Sequence, residues 1–342
     1  MMFRNLLQCG STKRTLILVI FIWNMMFVFY FHGSVKLKPQ TNPLTVLIWH
    51  WPFDRPLELY DNICSDIYGI NNCHLTANRS RYNDADVVVF HHRELDRKSN
   101  DLPSGIRLPG QKWVWATLES PSNIKKLWKW NNIFNWTLSY RNDSDIFAPY
   151  GMMVSHTPLS TYFNGPIKTG LVTWVISNYH HSQERASFFK NVSSYLKVDV
   201  YGRAAKKPLC PSCLLPTVSR YYFYLALENS IHRDYITEKL WKNSFIAGAV
   251  PIVLGPPRHN YEKFIPPDSF IHISDFPSPE HLANFLESMT TQQYQQFFRW
   301  RKQYSVKTYT DWRERFCTIC SKYSSLPPAK VYSDLEGWFM DY

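Results

Sequence analysis

Apolar residues along this chain gather into short runs that alternate with amphipathic stretches, and residues 221–254 (YYFYLALENSIHRDYITEKLWKNSFIAGAVPIVL) set the pattern. Residues 222–228 are aromatic and apolar enough for a buried strand. After a polar loop, Ile236, Leu240 and Ile246 form an apolar stripe at roughly helical spacing. Gly248 stops that helix, and residues 250–254 begin another strand. The unit is βαβ, and parallel sheets bind ligands at the carboxyl ends of their strands. Asn229, Tyr235, Glu238 and Lys239 fall at that end, beside a helix N-terminus whose free N–H groups and dipole suit a phosphate.

The same grammar recurs on both sides of this unit. Residues 45–49, 85–90, 113–118 and 135–140 read as strands with polar carboxyl ends: His91-His92 after the second, Glu119-Ser120-Pro121 after the third, and Arg141 to Asp145 after the fourth. A second series begins with a strand at 171–176 that ends in Ser177-Asn178. A helix at about 182–196 follows, then a strand at 198–201 ending in Gly202-Arg203. Beyond the central unit come a strand at 270–273 and a helix at about 279–289, and the tail reads as helical to about residue 323. Residues 156–169, with Pro158, Gly165 and Pro166, read as a linker. The expectation is two Rossmann-like α/β domains, 44–155 and 170–342, facing across a cleft. No GxGxxG or P-loop occurs, so a nicotinamide enzyme and an NTPase both lose support.

The amino terminus adds a membrane element. Residues 15–31 (TLILVIFIWNMMFVFYF) are seventeen residues without a charge, preceded by Lys13 and Arg14 and followed by no small-residue cleavage site. They read as an uncleaved transmembrane signal-anchor between a cytoplasmic tail, 1–14, and a stem, 32–43; a cleaved signal peptide is the alternative. Four N-glycosylation sequons, at Asn78, Asn135, Asn142 and Asn191, follow the span and agree with a lumenal body. Cys9 precedes the span, and the remaining six cysteines form three close pairs, Cys64 with Cys73, Cys210 with Cys213, and Cys317 with Cys320. In an oxidising compartment these read as three local disulfides. The two CxxC pairs are too far apart in the chain to favour a Cys₄ zinc site, and neither opens a helix after a strand as a thioredoxin-type motif would. The formal charge of +11 points to an anionic partner such as a nucleotide, an acidic glycan or a membrane surface. Nucleic acid is not expected, because the basic residues are scattered with no stripe of Lys and Arg interleaved with aromatics.

Several residues could carry chemistry. Glu119 follows an aromatic strand that Pro121 prevents from continuing, and a carboxylate there can act as general base toward a substrate hydroxyl. It could equally be a surface glutamate beside Ser122. Arg203, directly after Gly202, could grip a diphosphate bidentately, with Lys239 as a second positive charge on a leaving nucleotide. Glu238 could accept ribose hydroxyls or simply pair with Lys242 one turn on. The pairs Asp84/Asp86 and Asp143/Asp145 look like a DxD motif for manganese, but the first precedes its strand and the second lies within a sequon. His91 and His92 lack a third ligand at zinc spacing, so they read better as a satisfied or acceptor-lining pair.

Together these residues resemble the α1,3-fucosyltransferase family of Golgi type II membrane enzymes. WHWPF at 49–53, VVFHHREL at 88–95, ESP at 119–121, SYRNDSDIFAPYG at 139–151 and FYLALENSIHRDYITEKLWKN at 223–243 carry the resemblance, which DWRERFCTIC and DLEGWF extend toward residue 339. It implies a GT-B glycosyltransferase fold in which the first domain binds the acceptor and the second binds GDP-fucose. It further implies Glu119 as catalytic base, Arg203 and Lys239 on the diphosphate, Glu238 on the ribose, and Asn229, Tyr235, Ser177 and Asn178 at other donor positions. The implied reaction is inverting transfer of L-fucose from GDP-β-L-fucose to O3 of N-acetylglucosamine in α2,3-sialylated N-acetyllactosamine, giving sialyl Lewis x-type glycans on glycoproteins or glycolipids. No cofactor is expected to be required, with Mn²⁺ at most stimulating. The implied location is the Golgi membrane, single-pass, with a lumenal catalytic body. Two alternatives stay open: a DxD metal-dependent Golgi transferase of other specificity, and a non-catalytic glycan-binding membrane protein.

Overall fold

The computed structural model describes residues 43–98, 101–104, 106–157 and 166–341. The expected tail and span, the stem up to residue 42, and residues 158–165 of the expected linker lie outside the described residues. Among the described residues no helix is long and apolar enough to cross a membrane.

The first sheet contains β1 (Leu44–Ile48), β2 (Cys73–Thr76), β3 (Val87–His91), β4 (Lys112–Ala116), β5 (Trp136–Ser139) and β6 (Ile146–Phe147), with helices α1 (Ile63–Tyr68) and α2 (His92–Arg97). Its order is β2-β1-β3-β4-β5-β6, and every pairing is parallel. β1, β3 and β5 are buried at every residue, as strands covered on both faces must be. The chain then forms β7 (Gly151–Ser155).

The second sheet contains β8 (Gly170–Val175), β9 (Val198–Tyr201), β10 (Tyr221–Leu227), β11 (Val250–Leu254) and β12 (Ile271–His272). Helix α3 (Glu184–Val192) follows β8, and α4 (Leu214–Val218) precedes β10. Helix α5 opens as α-helix over Glu238–Leu240 and continues as π-helix over Trp241–Ile246. Helices α6 (Arg258–Tyr261), α7 (Pro279–Glu287) and α8 (Thr291–Gln296) complete this lobe. The order is β12-β11-β10-β8-β9, again all parallel. In both sheets the first strand of the lobe lies between the second and the third. Each lobe therefore has a switch point, where the crossover helices change faces and leave a crevice at the carboxyl ends.

Three features depart from the sequence reading. Residues 304–308, expected to be helical, form a strand, β13 (Tyr304–Thr308), which pairs antiparallel with β7. Tyr304, Val306 and Thr308 are half-buried while Ser305 and Lys307 face water, a period of two. The terminal helices α9 (Trp312–Lys322) and α10 (Leu335–Met340) pack on the first sheet rather than the second, where Phe316, Ile319, Leu335 and Phe339 join its core.

The third departure is in the cysteines. Cys210 and Cys213 are bonded, but the other bonds are Cys64–Cys317 and Cys73–Cys320. Helix α9 packs over α1 and β2, so two cysteines three residues apart on it lie over partners from different elements. All six sulfurs are used, which leaves no thiolate for the Cys₄ zinc alternative.

Among the sequons, Asn78, Asn142 and Asn191 are exposed, whereas Asn135 is buried. Its amide donates to the Lys330 carbonyl at 2.9 Å and accepts from the Trp113 backbone N–H at 2.9 Å. A glycan cannot reach that nitrogen in the folded chain, which corrects the expectation for Asn135.

Non-reducing peptide mapping should recover the 64–317 and 73–320 cross-links and no 64–73 or 317–320 peptide. Because each closes a loop of about 250 residues, replacing Cys73 and Cys320 together by Ala should destabilise the fold by about 2–5 kcal/mol in urea unfolding.

Candidate active site

A cavity of about 670 Å³ opens between the lobes. The turn after β4, helix α2 and the start of α9 line it from one side; Glu238 and Lys242 of α5 line it from the other. Glu119, Glu238, His91 and His92 are therefore brought to one space.

Glu119 stands three residues beyond β4, on a chain that Pro121 turns into a 3-10 segment, Pro121–Asn123. Its Oε1 accepts from the Ser120 N–H at 2.9 Å, the Asn123 amide at 2.9 Å and the Tyr235 hydroxyl at 3.3 Å. No hydrogen bond holds Oε2 among the described residues. The carboxylate thus has one oxygen fixed in direction and one open, as a general base needs. Burial carries the Tyr235 hydroxyl well above its ordinary value, so it remains a donor.

Tyr235 reaches Glu119 because the loop between β10 and α5 is fastened at both ends. Glu228, directly after β10, is buried, and its carboxylate accepts from the Thr237 N–H at 2.8 Å, the Thr237 hydroxyl at 2.9 Å and Lys239 Nζ at 2.8 Å. Burial raises the Glu228 carboxyl and Lys239 opposes that rise. Burial would lower the Lys239 ammonium, but Glu228 and then Glu238 outweigh it and push the lysine up. Glu238 lies 3.5 Å from Lys239. Its ion pair is with that lysine rather than with Lys242. Further along the loop, the Ser230 hydroxyl donates to Ser120 Oγ at 2.6 Å and accompanies Asn229 Oδ1 at 3.2 Å. His232 Nε2 lies 2.7 Å from Ser122 Oγ.

Arg203, Ser177 and Asn178 form a separate group at the carboxyl ends of β8 and β9 and do not line this cavity. Gly202 has φ 102°, and a Cβ there would lie 2.2 Å from the Ile176 carbonyl oxygen, so only glycine lets the turn carrying exposed Arg203 press against the residue before Ser177. The buried Arg185, which sequence reasoning missed, donates to the Asn178 carbonyl and holds that loop.

His91 and His92 are both buried. His91 Nδ1 meets Glu94 Oε2 at 2.5 Å. His92 Nδ1 accepts from the Trp115 indole at 3.1 Å, and burial lowers its pKa to about 4. The DxD candidates are engaged elsewhere: Asp143 with Arg141 and Arg233 at 2.8 and 2.9 Å, Asp145 with Lys330 at 2.7 Å and the Thr137 N–H at 2.9 Å, Asp84 with Arg81 at 3.0 Å, and Asp86 with the Thr45 N–H at 2.8 Å.

Sequence reasoning also missed Glu228, Lys242, Tyr150 and Arg315. For Glu228 a signal existed, an acid closing an apolar strand shortly before Thr-Glu-Lys; for the others only the folded chain shows the convergence.

Two all-parallel sheets thus meet at a cavity that Glu119 lines from one lobe and Glu238 and Lys242 line from the other. A family model described as "Fucosyltransferase, N-terminal" matches residues 41–151, and one described as "Glycosyltransferase family 10 (fucosyltransferase) C-term" matches residues 166–338. The chain belongs to this fucosyltransferase family. It is 55% identical to alpha-(1,3)-fucosyltransferase 7 of Rattus norvegicus over 97% of this chain and 88% of the relative, and 54% identical to that of Homo sapiens over 88% of each. A fucosyltransferase 3 of Bos taurus, a 3-galactosyl-N-acetylglucosaminide 4-alpha-L-fucosyltransferase, is 46% identical over 87% of this chain and 82% of its own. The fold is similar to that of a crystallised alpha1,3-fucosyltransferase with GDP-fucose, with a TM-score of 0.54 over 88% of this chain and 96% of that one at 17% identity.

The buried His92 makes a pH prediction. Its folded pKa of about 4 lies below the ordinary 6.5, so its contribution to stability is complete above pH 6.5 and is lost as pH falls toward 4. Urea midpoints measured from pH 7.5 to 4 should show roughly 3 kcal/mol less acid destabilisation in His92→Gln than in the parent.

Proposed function

We propose that the protein is an inverting α1,3-fucosyltransferase that moves L-fucose from GDP-β-L-fucose to O3 of N-acetylglucosamine in α2,3-sialylated N-acetyllactosamine. The observation that carries the reading is Glu119 itself, a carboxylate with one oxygen held by three donors and the other open, on a cavity large enough for sugars. Family membership and the high identity to alpha-(1,3)-fucosyltransferases 7 support the donor and linkage.

In this mechanism Glu119 takes the proton of the acceptor hydroxyl as its oxygen attacks the anomeric carbon from the face opposite GDP. The C–O bond to the diphosphate breaks as the new one forms, which inverts the anomeric configuration. Negative charge grows on the departing GDP and is met by Arg203, with Ser177 and Asn178 in the same group, and by Lys239. Glu238 accepts the ribose hydroxyls, while Asn229 and Tyr235 complete the donor side. Glu228 orients Lys239. His91 and His92 stand on the acceptor side of the cavity, with rings fixed by Glu94 and Trp115. The engagement of all four aspartates in other contacts supports a reaction with no obligatory metal. The proposed setting is the Golgi lumen, the body anchored by residues 15–31, with glycoprotein or glycolipid carriers.

Glu119→Gln should lower kcat for fucose transfer by at least about 10²-fold while GDP binding, measured by calorimetry, stays within twofold. Retained turnover would remove Glu119 from the role of base. Parent activity should survive exhaustive chelation within twofold; its abolition, with rescue by Mn²⁺, would favour the DxD alternative. No GDP release from GDP-fucose in the presence of sialyllactosamine, with glycan binding kept, would favour a glycan-binding protein.

A further inference from the structure

Of the five basic side chains that line the cavity, Arg315 is the buried one, and it has no counter-ion among the described residues. Arg315, in the first turn of α9, is 3% exposed and lines the cavity that holds Glu119. One terminal nitrogen of its guanidinium donates to the Tyr309 carbonyl, its Nε is buried without a hydrogen-bond partner among the described residues, and its Cζ lies 5.1 Å from the Trp312 ring centre. The nearby acids are committed to other cations: Glu314 to Lys307 at 2.6 Å, and Asp311 to Arg313 at 2.7 Å and the Tyr68 hydroxyl at 2.7 Å. No carboxylate lies within ion-pair distance of Arg315 among the described residues. Burial lowers its pKa to about 10, which leaves it charged at neutral pH.

A buried guanidinium without an anion is costly, and an anionic ligand that pairs with it relieves that cost. The surroundings suit an anion: five basic side chains, Arg93, Arg97, Lys125, Lys242 and Arg315, line the cavity against Asp96, Glu119 and Glu238. Arg315 belongs to the first lobe, whose core includes its neighbours Phe316 and Cys317, and so lies on the side opposite the donor cations. Its planar fork matches a carboxylate or a sulfate with two parallel hydrogen bonds.

We propose that Arg315 binds an anionic substituent, a carboxylate or a sulfate ester, on the outer sugar of the acceptor, and so makes the enzyme select charged acceptor chains. This rests on the transferase reading above and adds the residue that reads the acceptor's charge. Arg93, Arg97 and Lys125 draw the charged chain in; Arg315 fixes its register against Glu119. A neutral acceptor leaves the buried guanidinium unpaired and is disfavoured for that reason.

The test compares the full-length parent, Arg315→Gln and Arg315→Lys with GDP-fucose and three acceptors: neutral, 3′-sialylated and 3′-sulfated N-acetyllactosamine. Arg315→Gln should lose roughly tenfold to hundredfold in kcat/KM on charged acceptors, chiefly in KM, with neutral turnover unchanged or improved. Arg315→Lys keeps a charge at the site and should fall between. Loss confined to the sialylated acceptor assigns the carboxylate, loss confined to the sulfated one assigns the sulfate, and loss on both assigns an anion of either kind. Equal loss on all three acceptors, or no loss in either variant, overturns the proposal. A parent that transfers fucose to none of them overturns the transferase reading instead.

Discussion

The buried carboxylate of Glu228 is the point on which the site depends. An ionised group at 2% exposure is tolerated only if its hydrogen bonds are met, and here they are met by Thr237 and Lys239. Those bonds fix where α5 begins, since Thr237 is the residue before its first turn. They also fix the ten residues between strand and helix, including Tyr235, whose hydroxyl reaches Glu119. One charge at the end of β10 thereby positions a cation on its own lobe and a carboxylate on the other.

The second lobe could not hold that contact alone. Arg233 pairs with Asp143 at 2.9 Å and Asp341 at 3.2 Å, and Asp234 accepts from the Asn142 N–H at 3.1 Å, so the loop is tied to the first lobe and to the chain's end. The end is tied in turn. Arg141, 2% exposed, donates to the carbonyls of Phe339 and Asp341 at 3.2 and 3.1 Å, where α10 leaves them without helical partners. Thus the NDSD segment, which as a pattern suggested metal binding, helps tie the C-terminal segment to the first lobe, Asp143 through Arg233 to Asp341 and Asp145 to Lys330, while the two long-range disulfides tie α9 to α1 and β2.

What the sequence disclosed was what neighbouring residues decide. The buried strands of both sheets are continuous apolar runs, and residues 250–254 coincide with β11 because flanking Gly248 and Gly255 leave no other reading. The polar residues after each strand were legible for the same reason. Pairings across the chain were not: Cys317 and Cys320 look like partners until α9 lies across α1 and β2, and Asn135 looks like a surface acceptor until Lys330 returns from 195 residues away. β13 is an intermediate case, because its alternation was present in Tyr304, Val306 and Thr308 but lay between helical stretches that set a different period. Of the site residues, Glu119 stood out through Pro121, whereas Glu228 carried only the weaker signal of an acid closing an apolar strand, and its burial shows its role.

The division of charge between the lobes bears on how the two halves act together. On the second lobe Lys239 is already paired with Glu228 and Glu238, so a diphosphate bound as proposed above would have to compete with carboxylates for it. That competition favours the state in which the diphosphate carries most negative charge, which is the departing one, over the intact donor. On the first lobe Glu119 offers only one free oxygen, because Tyr235, Ser120 and Asn123 occupy the other. Tyr235 comes from the loop that Lys239 and Glu228 anchor. A shift in the Lys239–Glu228 pair would reach the carboxylate proposed as the base through Thr237 and the short stretch of backbone that joins it to Tyr235, so in the proposed reaction leaving-group charge and base orientation are coupled through residues 228–239 rather than through the sugar alone.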